Sequence, residues 1–175
     1  MLRHNPGSVD LTLDAGGWVA VDELLAALGR RGVQVTRSDL DDVVVSSDKQ
    51  RFAYDTDGSR IRANQGHSVA VELGLPVVTA PALLFHGTVA AALPGIRATG
   101  LTRQRRHHVH LSADTATARP VGARRGEAIV LTIDAGAMAA AGLTFFRSAN
   151  GVWLTVQVPV RFIVGGLQPV AHEAN

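Results

Sequence analysis

The amino-acid sequence predicts an α+β fold in two lobes, residues 1–79 and 80–175. Three observations support this prediction. The first half contains two segments with the apolar spacing of helices, followed by two short strand patterns around a turn. The segment 73–81 has one glycine, two prolines and no charged residue, which is typical of a linker. The second half has many short strand patterns without the regular strand–helix alternation of a doubly wound sheet, and this predicts a β-rich lobe.

The elements of the first half are predicted in the following order. We expect a short extended piece over 18–20, a helix over 22–28 with its leucines on one face, and a second helix that begins at Thr36. An aspartate follows Thr36 by three residues, which is a variant of the capping box. Strand patterns over 52–54 and 61–63 flank a polar turn and predict a hairpin. Two helices and a hairpin form the pattern of a winged helix, which other small α+β domains share.

The second half is composed of shorter elements. We expect strands over 83–86, 108–111, 128–133, 152–158 and 161–164, and short helices over 89–93, 114–121 and 136–141. Trp153 lies within one of these strands and is expected in the core. The segment 145–150 contains two aromatic residues and could form a loop over a ligand.

Composition limits the classes to which the chain can belong. Its 175 residues are 46% hydrophobic, enough to bury a core. We see no apolar run near the ~20 residues of a membrane span and no signal-peptide pattern, so we expect a cytoplasmic protein that does not bind membranes. We also expect a monomer. Cysteine is absent, which excludes disulfides and thiolate metal sites. Residues 1–79 carry 8 basic and 11 acidic side chains (net −3) and residues 80–175 carry 9 and 4 (net +5), so positive charge is concentrated in the second half.

Arginines at alternate positions point to anion binding in the first half. Arg60 and Arg62 flank an apolar residue, so a strand would direct both guanidinium groups to one face. A polar corner with Gln65 and His67 follows, which we expect to bury little and to contact a substrate. The planar guanidinium fork matches the oxygens of a phosphate dianion.

A basic block in the second half also predicts anion binding. It holds a single acid, Asp114, and the following arginines: Arg97, Arg103, Arg105, Arg106, Arg119, Arg124 and Arg125. Nucleic acid is the common ligand of such a patch, and a solvated charged face is the alternative. Histidines His107, His108 and His110 are interleaved with the block. A zinc site is disfavoured, because two of them are adjacent and no carboxylate or thiol joins them.

Two strand patterns place a histidine next to a hydroxyl residue. His86-Gly87-Thr88 follows one apolar run, and His110-Leu111-Ser112 lies in another. Each pair could hydrogen-bond a ligand at the edge of a sheet, so together they predict a binding site. The chain contains no glycine-rich nucleotide loop, no Gly-x-Ser-x-Gly pattern and no paired carboxylates. A carboxylate general base is therefore not expected in the second half.

Eight segments, in this order and spread over nearly the whole chain, resemble the KptA-type RNA 2′-phosphotransferases. They are Leu2-Arg3-His4-x-Pro6, Gly17-Trp18-x-x-Val21-Asp22-x-Leu24, Ser47-Asp48-Lys49-x-Arg51-Phe52, Ile61-Arg62-Ala63-x-Gln65-Gly66-His67-Ser68, Leu84-x-His86-Gly87-Thr88, Val109-His110-Leu111-Ser112, Ala116-Thr117-Ala118-Arg119-x-Val121-Gly122-x-Arg124 and Asn150-Gly151-Val152-Trp153-Leu154. One such motif would be weak, but eight in order are specific.

The resemblance implies an N-terminal winged-helix lobe and a C-terminal ADP-ribosyltransferase-like lobe that binds NAD as a co-substrate, without a metal. It also implies the reaction. An internal RNA 2′-phosphate attacks C1″ of the nicotinamide ribose, and nicotinamide leaves. The 2″-hydroxyl then attacks the phosphorus, which gives 2′-hydroxyl RNA and ADP-ribose 1″,2″-cyclic phosphate. Two alternatives remain open: a transferase that stops at ADP-ribosylated phosphate, and a non-catalytic winged-helix protein that binds nucleic acid.

The resemblance also implies which residues act. The phosphate-handling set corresponds to Arg3, His4, Arg62 and Arg124, drawn from both lobes. The NAD-binding positions correspond to His86, Gly87, Thr88, His110, Ser112 and Asn150, and Gln65, His67 and Arg119 are expected to contact the RNA substrate. Because the first motif follows Met1 directly and chain ends commonly fray, we expect Arg3 and His4 to be weakly anchored.

Overall fold

A computed structural model describes residues 1–47, 50–124 and 126–167. The described chain forms two compact units. The first contains Met1–Leu75, Arg105–His107 and Ser148–Asn150, and the second contains Pro76–Gln104, His108–Arg147 and the residues from Gly151 onward. Both contain helices and short strands, so the α+β class is confirmed. In these described segments, no helix has the length and apolar character needed to cross a membrane.

The described part of the first unit contains two α-helices and a small antiparallel sheet. In chain order the elements are β1 (Val19–Ala20), α1 (Val21–Arg30), α2 (Arg37–Ser46), β2 (Phe52–Tyr54) and β3 (Arg60–Ala63). The sheet has the order β1-β3-β2. Leucines of both helices and Ile61 of β3 fill the core between helices and sheet. Both helices and the hairpin are confirmed, because their apolar spacing and turn residues are local signals.

Local hydrogen bonds explain where these elements begin and turn. The Thr36 hydroxyl accepts from the Asp39 backbone N–H while the Asp39 carboxylate accepts from the Thr36 N–H, so the predicted capping box is present at the start of α2. In the hairpin turn, the Asp55 carboxylate accepts from the backbone and the side chain of Arg60 at 3.0 and 2.8 Å. The hairpin pairs Ala53 with Arg62, which fixes the register of the arginine-bearing strand.

In its described residues, the second unit contains three α-helices and eight strands. The helices are α3 (Leu93–Thr99), α4 (Thr115–Ala123) and α5 (Ala135–Ala140). The strands are β4 (Leu83–Val89), β5 (Leu101–Thr102), β6 (Val109–Leu111), β7 (Ala128–Asp134), β8 (Phe146–Arg147), β9 (Trp153–Thr155), β10 (Gln157–Val158) and β11 (Ile163–Gly165). They form sheets in the orders β11-β7-β4, β6-β9-β8 and β10-β5. Trp153 is buried, as predicted.

Several boundaries in this unit differ from the prediction. The expected strand over 152–158 is divided into β9 and β10, which pair with different strands. The expected last strand begins only at Ile163, because a 3-10 turn over Val160–Phe162 follows Pro159. The expected helix over 89–93 is a 3-10 turn that leads into α3, whose first turn contains a proline. The expected loop over 145–150 begins as strand β8, with the Phe145 ring in the core.

Helix α4 packs unusually close to strand β4. A Cβ atom added at Gly87 would lie 1.9 Å from the Ala118 carbonyl oxygen, and one added at Gly122 would lie 2.6 Å from the Thr88 carbonyl oxygen. Real Cβ atoms do not approach other atoms this closely, so both positions require glycine. The two glycines therefore let the backbone of the helix lie directly against the strand.

Candidate functional site

The segment that carries Arg3 and His4 is held firmly in the first unit. Leu2 is buried in the core, and the Ser68 N–H donates to the Arg3 carbonyl at 2.8 Å. The His4 Nδ1 lies 3.0 Å from the Ser68 hydroxyl oxygen, within hydrogen-bond distance. The expectation of weak anchoring is therefore wrong. A buried leucine and two contacts with the corner after β3 outweigh the tendency of a chain end to fray.

The two arginines of β3 share a face, but only one has its charge compensated. The Trp18 ring lies 5.5 Å from the Arg60 guanidinium carbon and 4.4 Å from that of Arg62. Arg60 forms ion pairs with Asp55 at 2.8 Å and Asp14 at 3.4 Å. Within the described chain, Arg62 makes no ion pair, and it donates only to backbone carbonyls. Arg62 is therefore the arginine of β3 whose positive charge is available to bind an anion.

The corner after β3 is buried, contrary to the expectation that it buries little. His67 is 1% exposed and Asn64 is 6% exposed, whereas Gln65 is half-buried. The Asn64 amide donates to the Gln50 carbonyl at 2.5 Å. Neither ring nitrogen of His67 has a hydrogen-bond partner among the described residues, and a Cβ at Gly17 would lie 3.5 Å from its Nε2. A buried imidazole without partners is costly, so this ring is available to a ligand that enters the corner.

The residues around Arg3 form a positive field. Burial lowers the pKa of Arg3, and the charges of Arg51 and Arg106 lower it further. Burial also lowers the pKa of His4, followed by the charges of Arg3, Arg106 and the N-terminus. Positive charges that lower the pKa of a neighbouring basic group favour a bound anion. Arg51 was not predicted to bind an anion, and Arg106 was predicted to do so only within the basic block of the second half, since only folding brings both residues near Arg3.

His67 lies in the same field. Its pKa is lowered to about 4, first by burial and then by the charges of His107, Arg3, His4 and Arg62. Burial lowers the pKa of Arg62 as well, and Asp14 opposes this effect. Among the described residues, no other carboxylate enters these shifts. We call the cluster of Arg3, His4, Arg51, Arg62, His67, Arg106 and His107 the basic cluster.

The depressed pKa of His67 predicts acid sensitivity of the fold. The unfolded chain binds a proton on this residue near pH 6.5 and the folded chain only near pH 4, so stability falls as pH drops through that window. Between pH 7 and pH 5 we expect His67 to contribute a loss of ~2 kcal/mol in the free energy of unfolding. Urea unfolding of the wild type and of His67→Leu at both pH values measures this. Equal losses in the two proteins would contradict the prediction.

In the second unit, folding brings the two predicted histidine segments together. Phe85 of β4 and Ser112 exchange backbone hydrogen bonds of 2.9 and 2.8 Å, which joins β4 to the end of β6. The His86 Nδ1 lies 3.0 Å from the His110 carbonyl oxygen. Because a carbonyl only accepts, Nδ1 carries the proton. His86, His110 and Ser112 thus lie on adjoining backbone segments, as a shared ligand site requires.

The other predicted residues have different surroundings. Thr88 is 8% exposed, and Gly87 lies against α4 rather than at an open edge. Arg119 on α4 and Arg124 at its end are exposed. Asn150 belongs to the first unit, where its Oδ1 accepts from the Ser148 hydroxyl at 2.7 Å. All of the site assignments, these five and Gln65 included, stay predictions.

The residues of the basic block predicted in the second half are divided between the two units. Arg106 and His107 belong to the first unit, the Arg97 guanidinium donates to the Leu167 carbonyl, and Arg125 lies outside the described residues. The lone acid of the block, Asp114, accepts from the Thr117 N–H and caps α4. Across the described positions, no group of three or more His, Cys, Asp and Glu residues is arranged to hold a metal ion.

Comparisons with known proteins identify a family of phosphate-transferring enzymes. The family model described as "RNA 2'-phosphotransferase, Tpt1 / KptA family" matches residues 1–157. A Streptomyces griseus protein named "Probable RNA 2'-phosphotransferase" is 55% identical over 170 residues, which cover 93% of this chain and 90% of the relative. Proteins with the same name from Nostoc punctiforme and Escherichia coli are 51% and 47% identical, over 93% of this chain and 90% and 89% of their own lengths.

These likenesses define the chain as an enzyme, a transferase that acts on a phosphate group. It belongs to the RNA 2'-phosphotransferase, Tpt1 / KptA family. The resemblance drawn from eight ordered motifs is therefore confirmed, and the alternative of a non-catalytic nucleic-acid-binding protein is not supported.

Proposed function

We propose that this enzyme removes an internal 2′-phosphate from RNA by transferring it to NAD. The products are RNA with a 2′-hydroxyl, nicotinamide and ADP-ribose 1″,2″-cyclic phosphate. The observation that carries the proposal is the basic cluster: Ser68 holds Arg3 and His4 against the corner that carries His67, and the charges of Arg3, His4 and Arg62 all lower the pKa of the buried His67. Such a field suits a phosphate dianion better than a neutral or cationic substrate.

The first step needs no general base. The 2′-phosphate oxygen is already ionised near neutral pH, so it can attack C1″ of the nicotinamide ribose directly, and the bond to nicotinamide breaks with its electron pair. Arg3 and Arg62 hold the phosphate for this attack. This proposal accounts for a cluster rich in guanidinium groups and poor in carboxylates.

The second step transfers a phosphoryl group. The ribose 2″-hydroxyl attacks the phosphorus and loses its proton, and the bond from phosphorus to the RNA 2′-oxygen breaks as that oxygen gains a proton. Positioning and charge neutralisation dominate such transfers. We assign neutralisation to Arg3, Arg62 and Arg124 and one proton transfer to His4. The Ser68 contact at Nδ1 orients the His4 ring, and an imidazole titrates in the right range.

The NAD co-substrate is assigned to the second unit. Adjoining backbone segments carry His86, His110 and Ser112, whose imidazole and hydroxyl groups suit the ribose and phosphate groups of a dinucleotide. We infer that this unit, from residue 80 onward, has an ADP-ribosyltransferase-like fold. We infer that residues 1–79 form a winged helix, which the arrangement of α1, α2 and the β2–β3 hairpin supports.

Product analysis tests the proposal. The protein is incubated with NAD and a short RNA that carries one internal 2′-phosphate, and all products are identified by mass spectrometry. We expect 2′-hydroxyl RNA, nicotinamide and the cyclic ADP-ribose phosphate in equal amounts. ADP-ribosylated RNA as the final product would instead support a capping transferase, and no reaction with NAD would refute the co-substrate.

The same assay tests the role of His4. We expect His4→Ala to accumulate RNA whose 2′-phosphate carries ADP-ribose, because the second step lacks its proton transfer. A His4→Ala enzyme that completes the second step at the wild-type rate would exclude this role.

A further inference from the structure

The Arg62 guanidinium group is contacted by one aromatic ring and two backbone carbonyls of the protein. Its carbon lies 4.4 Å from the centre of the Trp18 ring. Its Nη1 donates to the carbonyls of Gly16 and Leu73, each at 3.4 Å. Its Nε is buried and has no hydrogen-bond acceptor among the described residues. The edge formed by Nε and Nη2 is therefore the edge that the described protein does not use.

The loop that carries Trp18 is itself rigidly held. The Asp14 carboxylate accepts from the backbone N–H groups of Gly16 at 2.8 Å and Trp18 at 2.9 Å. The Asp14 N–H in turn donates to the Trp18 carbonyl at 2.9 Å. Gly17 has a φ of 81°, which glycine adopts without strain. These bonds fix the backbone from which the indole ring extends before any ligand binds.

Stacking, more than hydrogen bonding, holds this side chain. Both carbonyl contacts of Arg62 are at 3.4 Å, beyond the 2.7–3.2 Å usual for N–H···O bonds, and each is weak. A guanidinium over an indole face within ~6 Å is a favourable cation–π geometry, and partial burial strengthens it. Without the indole ring, the Arg62 side chain would populate several rotamers, because no strong contact would favour one of them.

We propose that Trp18 is a positioning residue for the phosphate-transfer reaction, which holds Arg62 so that its Nε–Nη2 edge meets two phosphate oxygens. This inference rests on the proposed role of Arg62. Trp18 does not touch the reacting atoms. It acts by fixing the guanidinium plane, since phosphoryl transfer depends on the placement of the groups that neutralise charge.

A double-mutant cycle tests the proposal. Single-turnover rates on 2′-phosphorylated RNA are measured for Trp18→Met, Trp18→Phe, Arg62→Lys and Trp18→Met with Arg62→Lys. We expect Trp18→Met to lower the rate about 5- to 30-fold, with a smaller change in RNA affinity, and Trp18→Phe to retain most of the rate because its ring still stacks. In the Arg62→Lys background, which has no planar guanidinium to orient, we expect Trp18→Met to change the rate by less than about twofold.

Controls separate positioning from general stability. Arg60→Gln removes the other guanidinium near the Trp18 ring and is expected to leave the rate unchanged, and thermal midpoints report the fold of each variant. If Trp18→Met does not fold, Trp18→Gln takes its place in the cycle. The inference would be overturned if Trp18→Met lowered the rate equally in the wild type and in Arg62→Lys. A Trp18→Phe enzyme as slow as Trp18→Met would also overturn it. An active Arg62→Lys enzyme with the wild-type rate would instead refute the proposed role of Arg62.

Discussion

Arg62→Ala is expected to lower the rate of RNA 2′-phosphate removal by about 10²- to 10³-fold, the range for loss of one preorganised charge-stabilising group. Arg62 lies in the basic cluster, makes no ion pair within the described chain and is oriented by Trp18. The charge that develops on the phosphate would therefore lose a fixed partner. Product formation from NAD and a 2′-phosphorylated RNA measures the loss.

Arg60→Ala is the matched control for this prediction. Arg60 lies two residues away on the same strand and faces the same indole ring, but Asp55 and Asp14 already compensate its charge. We expect it to retain activity within about twofold, as for a solvent-exposed ion pair. Binding of NAD, followed by calorimetry, should persist in Arg62→Ala. Equal losses in both variants, or loss of NAD binding with Arg62→Ala, would show that Arg62 is assigned to the wrong site.

Gly87→Ala is expected to destabilise the second unit by about 3 kcal/mol or more, at the upper end of the overpacking range. The new methyl group would lie 1.9 Å from the Ala118 carbonyl oxygen and 2.8 Å from the Gly122 nitrogen. Both atoms belong to the backbone of α4, so no flexible side chain can move away. The helix must shift from β4 and forfeit its packing. Chemical unfolding followed by the fluorescence of Trp153, which lies in the same unit, measures the change.

Gly95→Ala provides the contrast in the same unit. Gly95 is exposed within α3, and a Cβ there meets nothing within 4 Å. Alanine should raise stability by about 0.5–1 kcal/mol, since it is a better helix former. Gly87 is also assigned to NAD binding. Gly87→Ala distinguishes this role from close packing against α4, because only the packing role predicts a loss of stability. A Gly87→Ala protein that is as stable as the wild type but inactive would show that ligand binding, not packing, requires this glycine.

Local signals were sufficient for the helices and the hairpin of the first unit. The apolar stripe of α1, the capping box at Thr36 and the turn before Arg60 each involve residues a few positions apart, and the structure contains all three. The ordered motifs also identified the family correctly, because their residue types and spacing are specific even where their three-dimensional roles are unknown.

Short elements whose partners lie far away in sequence were not predictable in the same way. Strand β5 is two residues long and exists because it pairs with β10, more than fifty residues later. The division of 152–158 into β9 and β10 has the same origin, since each half pairs with a different strand. A two-residue strand has no periodicity of its own, so its sequence carries no signal.

The candidate site also has features that the sequence predicted and features that depend on the fold. The sequence motifs that resemble the family predicted Arg3, His4 and Arg62 as phosphate ligands, and the polar run around His67 predicted a substrate contact. The chain had to fold before His67 became a buried imidazole without described partners, before Arg51 and Arg106 joined the field around Arg3, and before Trp18 stacked on Arg62. The functional group of each side chain is known from the sequence itself. Burial, pKa and orientation depend on neighbours that only a folded backbone brings within a few ångströms.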